Sequence, residues 1–520
     1  MNGPLLLALD QGTQSTRAML FDRHGELLAR VQRNIEPYRS PAPGQAEQDA
    51  DYFWQQLGLA CRSLWQEHGA LREQVVAVSL TTQRASPVCL DASMRPLRPA
   101  VIWLDQRRTA RFPRVPWYWR WPAVLIGQGE TLRQFQSKAE CNWLAADEPD
   151  IWSRTRYFVL LSAYLNWRLC GALRDATAAQ VGYLPYDFKA QRWASRGDMK
   201  WSALRARAEQ LPELVLPGEL LGPITAEASA HTGIPQGLPL IASGSDKACE
   251  VLGAGAFTPD VGNLSYGTTA TFNTCNERFV EPIPMVPAYG AAAPGRYNSE
   301  VIVQRGYWMV NWFKREFAAE EVRRAERLGV APETLFEDLL HQSPPGAMGL
   351  TLQPFWNPGV RIPGPEAKGA IIGFGDVHTR AHLYRAIIEG IAYALREGRE
   401  RLEKRNRQPV TRLTVSGGGS QSDAIMQITA NVFGLPAERP HTFETSGLGA
   451  AINAAVGVGL HEDHATAVAA MTRPGDRFEP EPEAQALYDQ LYRRVYARLY
   501  RRLEPLYRDI RRITGYPPAL

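Results

Sequence analysis

An α/β fold in two halves, each opening on a hairpin suited to gripping phosphate, is what this sequence predicts. Three observations point to it. Two glycine–threonine turns stand far apart in the chain, Asp10-Gln11-Gly12-Thr13-Gln14-Ser15-Thr16-Arg17 and Tyr266-Gly267-Thr268-Thr269. Each turn follows a β-like run, Leu5 to Leu9 before the first and Asn263-Leu264-Ser265 before the second. The length of 520 residues also exceeds the roughly 250–300 residues at which a single hydrophobic core stops growing. Glycine lets the backbone turn tightly, and such a turn offers N–H groups and hydroxyls to phosphate oxygens. Only the first turn carries an acid, Asp10, able to hold a magnesium ion through water.

The elements follow in order. Residues 5–9, 17–21 and 26–31 run or alternate apolar, with Asp22-Arg23-His24-Gly25 as a turn, and read as a β-meander. A helix is expected from Asp51 to Gln66, with Tyr52, Trp54, Leu57 and Cys61 near helical spacing. Val75 to Leu80 and Val101-Ile102-Trp103 read as short buried strands, and Ile241 to Asp246 as the end of a third. Polar residues at strand ends are where open α/β sheets place ligands, so a substrate pocket is expected in this half. The domain boundary falls after Phe257, giving domains 1–257 and 258–520. The tail from Glu483 to Thr514 carries Leu487, Leu491, Val495, Leu499, Leu503, Leu506 and Ile510 as a stripe expected to pack on the body, with a kink or break at Pro505.

Composition narrows the function classes. With 45% hydrophobic and 22% charged residues and a formal charge of +4, nothing in the bulk electrostatics favours nucleic acid. The six cysteines form no CxxC pair, which argues against a zinc ribbon or redox motif and fits a reducing cytoplasm. The N-terminus shows no signal peptide, and no apolar run reaches the ~18 residues of a membrane span. A cytoplasmic protein without membrane or nucleic-acid partners is therefore expected, with a homo-oligomer possible.

No G-x-x-x-x-G-K-[ST] loop occurs, and Gly253-Ala254-Gly255 lacks the third glycine of a dinucleotide site. His461-Glu462-Asp463-His464 has the wrong spacing for a helical zinc pair and is expected on a surface; His378 and His382 read as helix capping and packing. Ser416-Gly417-Gly418-Gly419-Ser420-Gln421-Ser422-Asp423 follows a strand and opens a helix, so it is either a nucleotide-approach site or a tight turn. The small-residue stretch Ser446 to Ala451 is expected to form a helix, either packed closely against that turn or, as the favoured reading, serving plain helix packing. Asp246, at a strand end among small residues, is a catalytic base or a helix N-cap. Two phosphate hairpins with one acid suggest a nucleotide cleft between two actin-like (ribonuclease H-like) ATPase domains, and make a kinase the leading reading.

These pieces, with Gln83-Arg84, Trp103-Leu104-Asp105, Pro43-Gly44-Gln45-Ala46-Glu47-Gln48-Asp49, Lys368 to Gly373 and His378 to Leu383, resemble the FGGY carbohydrate kinases in order over roughly residues 5–460. The first turn is most similar to that of glycerol kinases. The resemblance implies ATP and Mg2+ as cofactors and a small sugar or polyol as partner. It implies Asp10 as the organiser of magnesium, with Thr13, Gln14, Ser15 and Arg17 facing the phosphates and Thr268 gripping from the other half. Gly418, Gly419 and Ser422 would line the adenosine pocket, with Asn311 near the nucleotide. Asp246 would take the proton of the attacking hydroxyl, and Arg84, Trp103 and Lys247 would border the substrate.

Departures bear on the substrate. Glycerol kinases carry an acid after the arginine of the glutamine–arginine pair, and this chain has Ala85; Lys247 replaces their glutamine, and about Arg133 replaces a tyrosine. Ketoses and polyols are thus expected over glycerol. Lys247 and Arg133 leave an acidic or phosphorylated acceptor open, unless Lys247 points away and pairs with Glu250. Trp117-Tyr118-Trp119-Arg120-Trp121 is a substrate lid or a hydrophobic cluster under a loop. Competing readings are a non-catalytic ATP-binding regulatory relative, against which both Asp10 and Asp246 speak, and a chaperone-like ATPase, which has no use for Gln83-Arg84 and Trp103.

Overall fold

Five apolar residues in a row cannot show one face to water, and Leu5 to Leu9 lie inside a sheet. In the computed structural model, which describes residues 3–125, 129–284, 286–359 and 363–516, strand β1 (Leu5–Gln11) is buried along its whole length. The strands β2 (Ser15–Asp22) and β3 (Leu27–Asn34) follow it as antiparallel hairpins. Helix α1 (Ala50–His68) starts at Asp49, whose carboxylate accepts the Asp51 N–H, and it buries Phe53, Trp54, Leu57 and Cys61. Strand β4 (Val75–Thr82) then returns parallel to β1. With β5 (Leu220–Pro223) and β6 (Pro239–Ile241) the sheet order is β5-β6-β4-β1-β2-β3.

One expected strand is shorter than its apolar letters suggest. Only Ala100–Val101 pairs, with Glu47–Gln48, because the Asp105 N–H donates to the Ile102 carbonyl at 2.8 Å and turns the chain there. Trp103 therefore lies in a turn and is 41% exposed. The reading of the aromatic segment as a hydrophobic cluster under a loop does not hold: it opens helix α2 (Trp117–Leu125), on which Trp117 is 72% exposed and Trp121 55%. Helix α3 (Asp246–Gly253) follows β6.

The chain divides into two compact units, one of residues 1–257, 275–298 and 444–473, the other of 258–274, 299–443 and 474–520. The second is built on β7 (Val261–Tyr266), β8 (Ala270–Asn276), β9 (Tyr297–Val303), β10 (Arg412–Ser416), β11 (Ala437–Pro440) and β12 (Pro474–Phe478), in the order β9-β8-β7-β10-β11-β12. The two sheets repeat one plan. In each, the first strand lies antiparallel to the second and parallel to the fourth, and the sheet ends on a strand antiparallel to its neighbour. That is the expected actin-like, ribonuclease H-like architecture. Helix α4 (Trp308–Phe317) follows β9, and α5 (Asp423–Phe433) follows β10.

Helix α6 (Thr445–Gly457) carries the small-residue stretch, and it packs on α3 rather than on the 416–423 turn. A Cβ on Gly449 would stand 2.0 Å from the Cys249 carbonyl oxygen, and one on Gly253 would stand 2.0 Å from that of Thr445. Two glycines thus set the distance between α6 and α3. His464 and His461 are buried rather than on a surface, their Nε2–H groups donating at 3.0 Å to Asn453 Oδ1 and at 2.9 Å to the Arg23 carbonyl. The tail forms α7 (Pro482–Leu491), a π turn (Tyr492–Tyr496) and α8 (Ala497–Thr514), and Pro505 sits inside α8 without ending it. Its buried residues include Tyr488, Tyr492, Tyr496, Leu499 and Tyr507, whereas Leu487, Leu506 and Ile510 are exposed. An i, i+4 row drifts by roughly 40° per step around a helix, and the tyrosines have hydroxyl partners inside, Glu389 at 2.7 Å from Tyr488 and Glu400 at 3.1 Å from Tyr492.

Candidate active site

In the first unit the Gly12 N–H donates to the Ser15 carbonyl at 3.0 Å and closes the β1–β2 turn, placing Thr13 and Gln14 at its tip. Gln14 is exposed and Ser15 is buried. Asp10 and Arg17 are register partners across the hairpin, so their side chains share one face, and Arg17 Nη1 meets Asp10 Oδ2 at 3.1 Å. A third charge, Glu444 at the start of α6, lies 3.5 Å from Arg17 and also pairs with Arg30. The site-residue set read from the sequence lacked it. Its only local signal was an acid directly ahead of the small-residue helix. Burial pushes the Asp10 carboxyl up to about 6; Arg17 opposes this, while Asp246 and Glu444 add to it.

Asp246 is the first residue of α3, and Ser245, not Asp246, is the N-cap. Its Oδ1 accepts the Lys247 N–H at 2.7 Å. Burial raises this carboxyl as well, against the pull of the Arg84 and Lys247 cations. The Arg84 guanidinium lies over the Tyr289 ring, 5.7 Å from its centroid. Tyr289 had no motif around it to mark it. Trp103 donates its indole N–H to Thr13 Oγ1 at 3.0 Å, and Thr13 in turn donates to Gln83 Oε1 at 2.9 Å. The Thr13 hydroxyl proton is thereby used within the protein. Lys247 Nζ meets Glu250 Oε2 at 2.6 Å, so its charge already has a partner, and Arg133 is 75% exposed beside Glu130.

The remaining candidates gather in the second unit. Tyr266 and Ala270 close the β7–β8 hairpin, leaving Gly267, Thr268 and Thr269 at its tip with Thr268 exposed. The N–H groups of Tyr307 and Trp308 donate to the carbonyls of Gly267 and Thr268 at 3.1 and 3.2 Å, which ties the start of α4 to that tip. Asn311 is exposed on the next turn of α4. After β10 the chain passes through Gly417, at φ +85°, and a 3-10 turn over Gly418–Gln421 before Ser422 caps α5 by accepting the Ile425 N–H at 3.3 Å. A Cβ on Gly419 would stand 2.4 Å from the Tyr307 ring, while one on Gly418 would meet nothing within 4 Å. Gly418 and Gly419, Tyr307 and the Thr268 tip thus share one neighbourhood.

Among the described residues no cluster of three or more His, Cys, Asp or Glu is placed to hold a metal ion. Magnesium does not need one, since it keeps several waters and binds through one or two carboxylates together with substrate phosphates. The buried Asp10, raised by two neighbouring acids, is a carboxylate whose ionised form a cation would favour, so the residues fit the ion.

Two repeated actin-like sheets, each with a hydroxyl-rich hairpin after its first strand, define the class of phosphate-handling two-domain kinases. Residues 5–253 match the N-terminal domain of the FGGY family of carbohydrate kinases, and residues 262–458 match its C-terminal domain. The chain belongs to the FGGY family and is a carbohydrate kinase. It is 28% identical over 494 residues to an uncharacterized sugar kinase, YgcE, of Escherichia coli, covering 94% of this chain and 92% of that one. It is 27% identical over 490 residues to a xylulose kinase of Lactococcus lactis, covering 94% and 95%. The crystal structure of a gluconate kinase from Lactobacillus acidophilus superimposes with a TM-score of 0.79 at 22% identity, covering 99% of each chain. No helix of the described residues is long and apolar enough to cross a membrane.

Proposed function

We propose that this chain transfers the γ-phosphoryl group of ATP to a hydroxyl of a small ketose or polyol, with Asp246 as general base. The observation that carries the reading is the pair of buried carboxylates in the first unit, Asp10 on the phosphate hairpin and Asp246 at the start of α3; burial raises both, and the charge of Asp246 adds to the rise at Asp10. Two acids this close have separate uses in phosphoryl transfer. One holds the cation that neutralises the phosphates, and the other accepts the proton of the attacking hydroxyl. Asp10 would hold the magnesium ion, which supplies charge neutralisation on the transferring group. A raised carboxyl pKa makes Asp246 a better proton acceptor than an ordinary aspartate, and the Arg84 and Lys247 cations oppose the rise.

In this reading Arg84 and the exposed face of Trp103 border the acceptor, and the tip residues Thr13, Gln14 and Ser15, with Arg17, present donors to the phosphates. The Thr13 contribution comes from its backbone, since its hydroxyl proton goes to Gln83. Thr268, Gly418, Gly419, Ser422 and Asn311 serve the nucleotide. Ala85 stands at φ +48° and offers no group to a pair of vicinal hydroxyls, which favours a ketose over glycerol. The similarity to a xylulose kinase supports the same ranking. Lys247 neutralised by Glu250 weighs against an acidic acceptor. ADP release measured over glycerol, pentuloses, hexuloses, pentitols and aldonates tests the proposal. Strong stimulation by a pentulose or polyol is expected, and a flat response from protein that binds ATP would contradict it.

A further inference from the structure

Gln83 ends β4 with its backbone N–H donated to the Gln11 carbonyl at 2.9 Å, and it is only 3% exposed. In the structure its carboxamide oxygen faces Thr13. An indole N–H can only donate, so Thr13 Oγ1 accepts from Trp103 Nε1, and the Thr13 proton then goes on to the carboxamide. The receiving atom is Oε1, which leaves Nε2 as the other end. That nitrogen is buried and has no hydrogen-bond partner among the described residues. A buried amide donor left unpaired costs free energy, and native proteins rarely keep one unless a ligand completes it.

The side chain that carries the orphan donor is held by Thr13 of the phosphate hairpin, and Arg84 is the next residue in the chain. We propose that Gln83 is a substrate-binding residue. Its Nε2 donates to a lone pair on a hydroxyl or carbonyl oxygen of the acceptor, while its Oε1 holds the Thr13 hydroxyl. One side chain then links the acceptor to the tip of the phosphate hairpin, with Trp103 fixed by the same relay so that its ring face, not its N–H, meets the acceptor. This rests on the phosphotransfer reading above and extends it to a residue whose own side chain nothing else assigns.

The test uses two variants of the full chain, with D-xylulose, D-ribulose, glycerol and D-gluconate as acceptors. Gln83→Glu keeps an oxygen for Thr13 and removes the donor; Gln83→Met removes both. With whichever acceptor stimulates the wild type, both variants are expected to raise the acceptor KM by about tenfold or more. In Gln83→Glu the KM for ATP is expected to stay within about threefold, because Thr13 keeps its partner. An unchanged acceptor KM, or a rise confined to ATP, would overturn the assignment and point to a phosphoryl oxygen instead. Gln83→Met without ligands is expected to melt higher than the wild type because an unsatisfied donor is gone, and a lower melting temperature would also overturn it. If no acceptor stimulates the wild type, the phosphotransfer reading fails and the acceptor role of Gln83 fails with it; a flat KM in a responsive enzyme fails Gln83 alone.

Discussion

Asp10→Asn should make the ligand-free protein more stable and less active. The carboxyl of Asp10 rises from 3.8 to about 6 in the folded chain, chiefly through burial. At 1.36 kcal/mol per unit, holding it ionised costs the fold on the order of 3 kcal/mol. The sign follows from proton binding: between 3.8 and about 6 the folded chain holds the proton that the unfolded chain has lost, so stability falls as pH rises through that window. Asparagine has nearly the same shape and no charge to bury. Arg17 keeps Glu444 at 3.5 Å, so the substitution does not strand a guanidinium. Melting temperatures of the two proteins, measured without nucleotide or Mg2+, should coincide below 3.8 and separate steadily up to neutral pH, with the variant higher. A gap of several degrees is expected, at roughly 2–4 °C per kcal/mol for units of this size class. Adding Mg2+ with ATP at neutral pH should raise the wild type and leave the variant where it was. A difference independent of pH, or a variant that melts lower at neutral pH, would refute the placement at Asp10 of a buried charge that Arg17 offsets only in part.

Three further outcomes follow from the packing and the charges. Lys247→Met leaves Glu250, whose side chain is 8% exposed, without its cation; melting should drop by the equivalent of on the order of 3 kcal/mol and recover in the Lys247→Met, Glu250→Gln double variant. Acceptor preference between neutral and acidic compounds should not move in that pair, and a shift toward neutral acceptors would show that Lys247 reads a substrate charge. Gly449→Ala puts a methyl 2.0 Å from the Cys249 carbonyl and must push α6 from α3; a loss of at least roughly 2 kcal/mol is expected by thermal melting, together with lower activity, since Asp246 begins α3. Gly419→Ala meets the Tyr307 ring at 2.4 Å and should raise the KM for ATP, whereas Gly418→Ala, with open space around it, should leave protein stability unchanged.

Much of the fold and the family was legible because the informative residues are local. Asp10 to Arg17 is a hairpin in the sequence and in space, and the apolar run of Leu5 to Leu9 needs a central strand wherever it is placed. What escaped the sequence depends on residues far apart in the chain. Glu444 reaches Arg17 across more than four hundred residues, and Tyr289 reaches Arg84 across about two hundred. The stretch at Ser446 was legible as a close-packing helix but its partner was not, because two glycines specify distance and not identity. In the tail, the aliphatic residues were the stronger hydrophobic signal, yet of them Leu487, Leu506 and Ile510 stay exposed while tyrosines fill the buried face, where Glu389 and Glu400 take the hydroxyls of Tyr488 and Tyr492. The Trp103–Thr13–Gln83 relay was invisible for a similar reason: its members come from three separate segments.

The most direct test of the central claim is the turnover of Asp246→Asn with the acceptor that best stimulates the wild type. Removing a general base should lower kcat by roughly 10²–10⁴-fold with little change in the KM for ATP. A variant that phosphorylates the acceptor at the wild-type rate would contradict the assignment of Asp246 and with it the mechanism.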